Sequence, residues 1–133
     1  MIDLIPVNTA RVRDVPIFSR LSQSELERVA GWLQITSVPE GHHIVREGDF
    51  AHEFFLIDDG EADVLQDHEP IATLGPGDFF GEIALSETGR RTASVVARTP
   101  MDVILMGRAE FAQMKKELPT VADQVEAAIR ARL

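Results

Sequence analysis

The chain has 133 residues, 22 of them acidic and 13 basic, for a net charge of −9, and it contains no cysteine. A surface of that sign repels phosphate backbones, which argues against direct nucleic-acid binding, and the lack of cysteine excludes a disulfide framework and suits a reducing cytosol. One domain of this length buries roughly two thirds of the surface its unfolded chain exposes and needs no staple; the opening MIDLIPVNTARVRD is a poor signal peptide and no apolar run nears the ~20 residues a bilayer requires, so a soluble, cytoplasmic protein without membrane contact is expected.

The first 34 residues read as an N-terminal helical segment. In LSQSELERVAGWL, Leu26, Val29, Ala30 and Leu33 recur at helical spacing, and Ser22 followed by Glu25 is a capping-box signature. A helix starting near Ser22 is predicted, with Pro16 and Phe18 upstream in a short turn. From 35 to 107 the period shortens. The runs QITSVP, HIVRE, EFFLID, EADVLQD, PIATL, TASVVAR and DVILMG are separated by PEG, EGD, DDG, DHEP, GPGD, ETGR and RTP. Short strands at this spacing, with no helices between them, predict an antiparallel β-barrel or jelly roll. One local echo, EGDF at 47–50 and PGDF at 76–79, predicts two tight turns that each admit a strand, with Gly supplying the positive φ.

The helical period returns at Arg108. RAEFAQMKKEL carries Phe111, Met114 and Leu118 on one stripe, and Pro119 then opens a second helix at its favoured first position. That helix has a stripe of Val121, Val125, Ala128 or Ile129, and Leu133, suited to docking on the barrel or to pairing with a second copy in a homodimer. The expected fold class is mainly β with flanking helices in one domain: 1–34 helical, 35–107 jelly roll, 108–133 two C-terminal helices.

The stretch FFGEIALSETGRRTASVVA, 79–97, places a glycine, a glutamate and two adjacent arginines just before a strand. Three chemistries compete for it. In one, Arg91 pairs with a nearby acid such as Glu87 and is purely structural. In another, the stretch is a phosphate cradle: Gly77 and Gly81 permit a tight backbone, and Ile83 to Leu85 form one helical turn whose first N–H groups point outward. Arg91 then forks onto phosphate oxygens, and Glu82, which phosphate repels, accepts from ribose hydroxyls. The third is a metal site from His52, Glu53 and His68, as in a cupin-like enzyme. His42 and His43 are adjacent, so in a strand they point to opposite faces, and no HxH or HExxH spacing is present.

FGEIAL followed by GRRTASV closely resembles the phosphate-binding cassette of the cyclic-nucleotide-binding domain family. VPIFSRLSQSELERVA resembles that family's helical entry, REGD with FFLIDDGEADV its strand–Gly–strand core, and the final helices its C-terminal pair, so the resemblance covers most of the chain. It implies a jelly roll that buries cAMP or cGMP against a cassette at 79–95. On the matching positions it implies Glu82 on the ribose 2′-hydroxyl with Gly81 close by, and Arg91 on the exocyclic phosphate oxygens, helped by the N–H groups of Ala84 and Leu85. Ile83 and Ala93 complete the cassette lining, and Arg90 faces solvent. Thr92 bonds phosphate and the amino group of a syn guanine, which admits cGMP without excluding cAMP; in this respect GRRTASV is most similar to cyclic-nucleotide-gated and hyperpolarisation-activated channel domains. Val64 and Leu74 form a purine wall, and Arg132 caps the base from the last helix. The resemblance further implies a non-catalytic sensor with no cofactor beyond its ligand. Its C-terminal helix swings over the base and signals to an effector protein or an output domain outside this sequence. The competing reading is a jelly-roll interaction domain that no longer binds nucleotide, and a cupin-like metal enzyme stands third.

Overall fold

The computed structural model describes residues 4–6, 12–13, 18–50, 53–80 and 91–132. Strand β1 (Leu4–Pro6) is followed by helix α1 (Gln23–Ala30), β2 (Gln34–Val38), β3 (His43–Val45), β4 (Glu53–Asp59) and β5 (Ala62–Gln66). Then come β6 (Glu69–Leu74), β7 (Phe79–Phe80), β8 (Ser94–Ala97), β9 (Met101–Gly107), α2 (Arg108–Glu117) and α3 (Pro119–Arg132). The seven predicted runs correspond to β2 to β6, β8 and β9. Two strands fall outside those runs: β1 lies inside the segment expected to be helical, and β7 starts at the last residue of the PGDF turn, which is read as admitting a strand.

Among the described residues all strand pairs are antiparallel, in a five-stranded sheet of order β1-β2-β9-β4-β7 and a four-stranded sheet of order β3-β8-β5-β6. These are two stacked antiparallel sheets, the double-sheet form of the jelly roll expected. Alternation along the two central strands explains the stacking, because successive side chains point to opposite faces. On one face, Phe54 and Leu56 of β4 and Ile104 and Met106 of β9 join Leu26 and Val29 of α1, Phe111 and Met114 of α2, and Val121 and Val125 of α3. On the other, Phe55, Ile57, Met101 and Val103 meet Val45, Ala62, Val95 and Ala97 of the smaller sheet. The larger sheet is thus the middle layer of three. Its central strands read as unbroken apolar runs, FFLI and VILM, because both faces are covered.

Helix α1 begins as predicted. Ser22 Oγ accepts from the Glu25 N–H at 3.2 Å, and Glu25 Oε1 accepts from the Ser22 N–H at 2.9 Å, which satisfies two orphan donors. Leu33 is buried beyond the helix end. Val121 and Val125 dock α3 on the chain's own core; the side chains of Ala128 and Ile129, and Leu133 itself, lie outside the described residues. The two echoed turns share one geometry, with Gly48 and Gly77 both at φ 89°, a conformation that L side chains rarely adopt. Among the described residues, no helix is long and apolar enough to cross a membrane.

Candidate functional site

Strand β8 lies inside the four-stranded sheet, flanked by β3 and β5, and Arg91 precedes it by three residues. The backbone of Arg91 is paired in both directions with the EGD turn. Its N–H donates to the Asp49 carbonyl at 2.7 Å, and its carbonyl accepts from the Gly48 N–H at 2.9 Å. The side chain is only 7% exposed. Nη2 donates to the Glu53 carbonyl at 2.7 Å, and the guanidinium carbon stands 5.9 Å from the centroid of the Phe55 ring. Phe55 in turn stacks on Phe80 at 4.9 Å with 12° between the planes. The start of β4 therefore both holds the arginine from above, through a carbonyl, and supports it from below, through an aromatic face. Since a guanidinium presents its N–H groups in a rigid planar fork, fixing one arm fixes the direction of the others.

The neighbouring positions are less enclosed. Thr92 is exposed and its carbonyl accepts from Gln66 Nε2 at 3.2 Å. Ala93 is half-buried at the entry to β8. Val64 of β5 stands opposite Ala72 of β6 and Val95 of β8, and Leu74 ends β6 opposite Ala62. Both are half-buried against the core between the sheets. The smaller sheet thus carries Val64 level with Val95, near the start of β8, while Leu74, opposite Ala62 and so level with Ala97, stands at the other end of β8 from the Arg91–Ala93 segment. Gly81, Glu82, Ile83, Ala84, Leu85, Glu87 and Arg90 lie outside the described residues, as does the side chain of Arg132 in the last turn of α3.

Glu53, Phe55, Phe80, Asp49 and Gln66, which hold this segment in place, were not singled out as part of a nucleotide site by sequence reasoning. The signal at 47–50 was its likeness to 76–79, which identifies a turn and says nothing of its partner. Beside these supports, Glu53 and Phe55 share the lining of a cavity of about 280 Å³ with Thr36, Val38, Ile44 and Leu105. As for a metal centre, His42 is half-buried just before β3, His43 is exposed within it, and His68 sits in the β5–β6 turn. His52 lies outside the described residues. Among the described residues, no three His, Asp or Glu side chains converge.

A family model of the cyclic nucleotide-binding domain matches residues 35–117, from β2 to the end of α2. The chain is 36% identical over 105 residues to the cAMP-dependent protein kinase regulatory subunit of Neurospora crassa, which covers 77% of this chain and 27% of that protein. It therefore spans about a quarter of the length of that relative. Among solved structures, a cyclic nucleotide-binding domain from Methylobacillus flagellatus superposes with a TM-score of 0.84 at 24% identity, over 98% of this chain and 83% of that one. The cAMP-bound PfPKA-R superposes with a TM-score of 0.76 at 28% identity, over 92% of this chain and 43% of that one.

Proposed function

Because the chain belongs to the cyclic nucleotide-binding domain family, we propose that it is a non-catalytic sensor of cAMP or cGMP, with Arg91 as its phosphate anchor. The observation that carries this reading is the state of Arg91: 7% exposed, bonded to the Glu53 carbonyl and laid over Phe55. An arginine held this way has already lost most of its rotamer freedom, so a ligand phosphate does not bear that ordering cost. Its place just before β8 matches the position that the family's motif reserves for the phosphate contact. Glu82 then receives the ribose hydroxyl beside Gly81, while Ile83, Ala84 and Leu85 line the phosphate side. Val64 and Leu74, half-buried on the smaller sheet, offer apolar surface to a purine. The cAMP in the neighbour PfPKA-R and the cAMP dependence named for the Neurospora relative favour a cyclic purine nucleotide as the ligand.

The output is a shift of α3. Nucleotide binds more tightly when that helix, with Arg132 in its last turn, lies over the base, so ligand raises the population of the closed arrangement. The closed form is read by an effector protein, by a second copy or by a further domain. Calorimetric titration with cAMP and cGMP separately, beside Arg91→Ala, tests the reading. Micromolar or tighter binding is expected for the wild type. Because one charge-assisted hydrogen bond contributes about 1.5–3 kcal/mol, the folded variant should bind at least ~10-fold more weakly. No heat and no thermal shift with either nucleotide would sink the sensor and leave the interaction-domain reading in its place.

A further inference from the structure

The β5–β6 hairpin turns on Asp67 and His68, both in the left-handed region at φ 51° and 67°. A two-residue loop of that hand matches the twist of the strands, but Asp and His carry a steric cost there that glycine avoids. The ladder beneath the turn is also interrupted, since the β5–β6 register shifts between Val64 and Leu65. A bulge bends its strand and disrupts the ladder locally, so the ladder alone does not orient the hairpin tip. It is braced from outside. Glu47 Oε1 accepts from the Asp67 N–H at 3.0 Å, across a cleft of about 440 Å³ with Arg46 and Asp49 on one side and Leu65 and His68 on the other.

The other end of Glu47 is tied to the arginine. Its own N–H donates to Ser94 Oγ at 2.9 Å, and the next two residues, Gly48 and Asp49, make the reciprocal main-chain pair with Arg91. A second tie runs from Gln66 Nε2 to the Thr92 carbonyl at 3.2 Å. One carboxylate therefore joins the hairpin that carries Val64 to the segment that presents Arg91. We propose that Glu47 is a positioning residue of the nucleotide site: it sets the spacing between the purine wall and the phosphate anchor. This inference rests on the sensor reading above. Glu47 touches no ligand in it and acts through the hairpin.

A purine spans from anchor to wall, whereas a single-ring base gains less from the wall, so the clasp matters more for purines. The experiment measures affinities of the wild type, Glu47→Gln and Glu47→Ala for the tighter of cAMP and cGMP and for cCMP. Glu47→Gln keeps an acceptor for the Asp67 N–H and removes only the charge. Glu47→Ala should weaken the purine nucleotide about 3–10-fold, the range of a lost hydrogen bond. It should weaken cCMP less, so the purine preference narrows, while Glu47→Gln keeps the wild-type preference. A lower melting temperature of Glu47→Ala with unchanged purine preference would make Glu47 merely structural. Equal damage from Glu47→Gln would assign the effect to charge rather than to the clasp. Both results overturn the positioning role and leave the sensor standing. A wild type that binds none of the three overturns the sensor reading itself, and the positioning role with it.

Discussion

At Arg91 a cation is held between a main-chain carbonyl and an aromatic face, so its shape matters as well as its charge. Lysine offers a point charge on a flexible stem and cannot reproduce the planar fork. Arg91→Lys should therefore lose nearly as much nucleotide affinity as Arg91→Ala, at least ~5-fold by calorimetry, since charged hydrogen bonds contribute about 1.5–3 kcal/mol. Near-wild-type affinity would show that charge alone suffices. At the next position, Thr92→Ala removes a hydroxyl but not the carbonyl that Gln66 holds. If that hydroxyl meets guanine, cGMP should weaken about 5-fold more than cAMP, the value of one neutral hydrogen bond; equal losses would remove Thr92 from base selection. The paired arginines stand out in the sequence because their neighbours are local. The partner of Arg91 Nη2 lies 38 positions earlier, and nothing in the composition of β4 points to it.

Among the elements, α1 was the most legible because its start is set by neighbours three residues apart. Ser22→Ala should lower the stability of the domain by about 1 kcal/mol, read from thermal or urea denaturation followed by circular dichroism, and an unchanged midpoint would show the cap to be dispensable. The strands missed are those with the least local signal. β1 is three residues long and ends in Pro6, which a central strand excludes but an edge strand tolerates. Among the described residues its only strand neighbour is β2, with Leu4 opposite Thr36 and Ile5 opposite Ile35. β7 has two residues, too few to display a period, yet its pairing sends Phe79 to the helical core and Phe80 to the core between the sheets. The PGDF turn signals that a strand follows, but the length and partner of that strand show only once the opposing Phe55 and Leu56 are known.

Across the whole molecule the larger sheet carries packing on both faces, so its central strands should be the least tolerant of lost volume. Ile104, fully buried in β9 on the helical side, is one such place. Ile104→Ala should cost about 2–5 kcal/mol in chemical denaturation, and a cost under ~1 kcal/mol would mean that the helices repack over the gap. The helical layer is also tied at its rim. Glu117 accepts from Gln113 Nε2 and from Arg28 Nη2, the latter at 2.8 Å, which joins α2 to α1. Gln113 first and Arg28 second hold its carboxyl below the ordinary glutamate range. A carboxyl depressed in the folded state contributes stability above its unfolded value and loses it as pH falls through the folded one. The wild type should therefore lose melting temperature on acidification through and below the ordinary glutamate range, and Glu117→Gln should lose less there. Identical acid profiles would show the tie to be thermodynamically silent, as many exposed ion pairs are.

The sequence alone determined the features governed by neighbours: the Ser22 start of α1, the runs that form β2 to β6, β8 and β9, the positive φ of Gly48 and Gly77, the Pro119 start of α3, and the motif that marks the family. Caps, periods and turn chemistry act within a few residues, so their energies are written in the order of the chain. Tertiary structure decided which strands share each of the two sheets, that Leu4–Pro6 and Phe79–Phe80 are strands, and that Val121 and Val125 turn inward. It also decided that Arg91 rests on Glu53 and Phe55, and that Glu47 reaches the hairpin at Asp67. Those outcomes depend on contacts between residues far apart in the chain, whose favourable energy exists only once the intervening loops have closed.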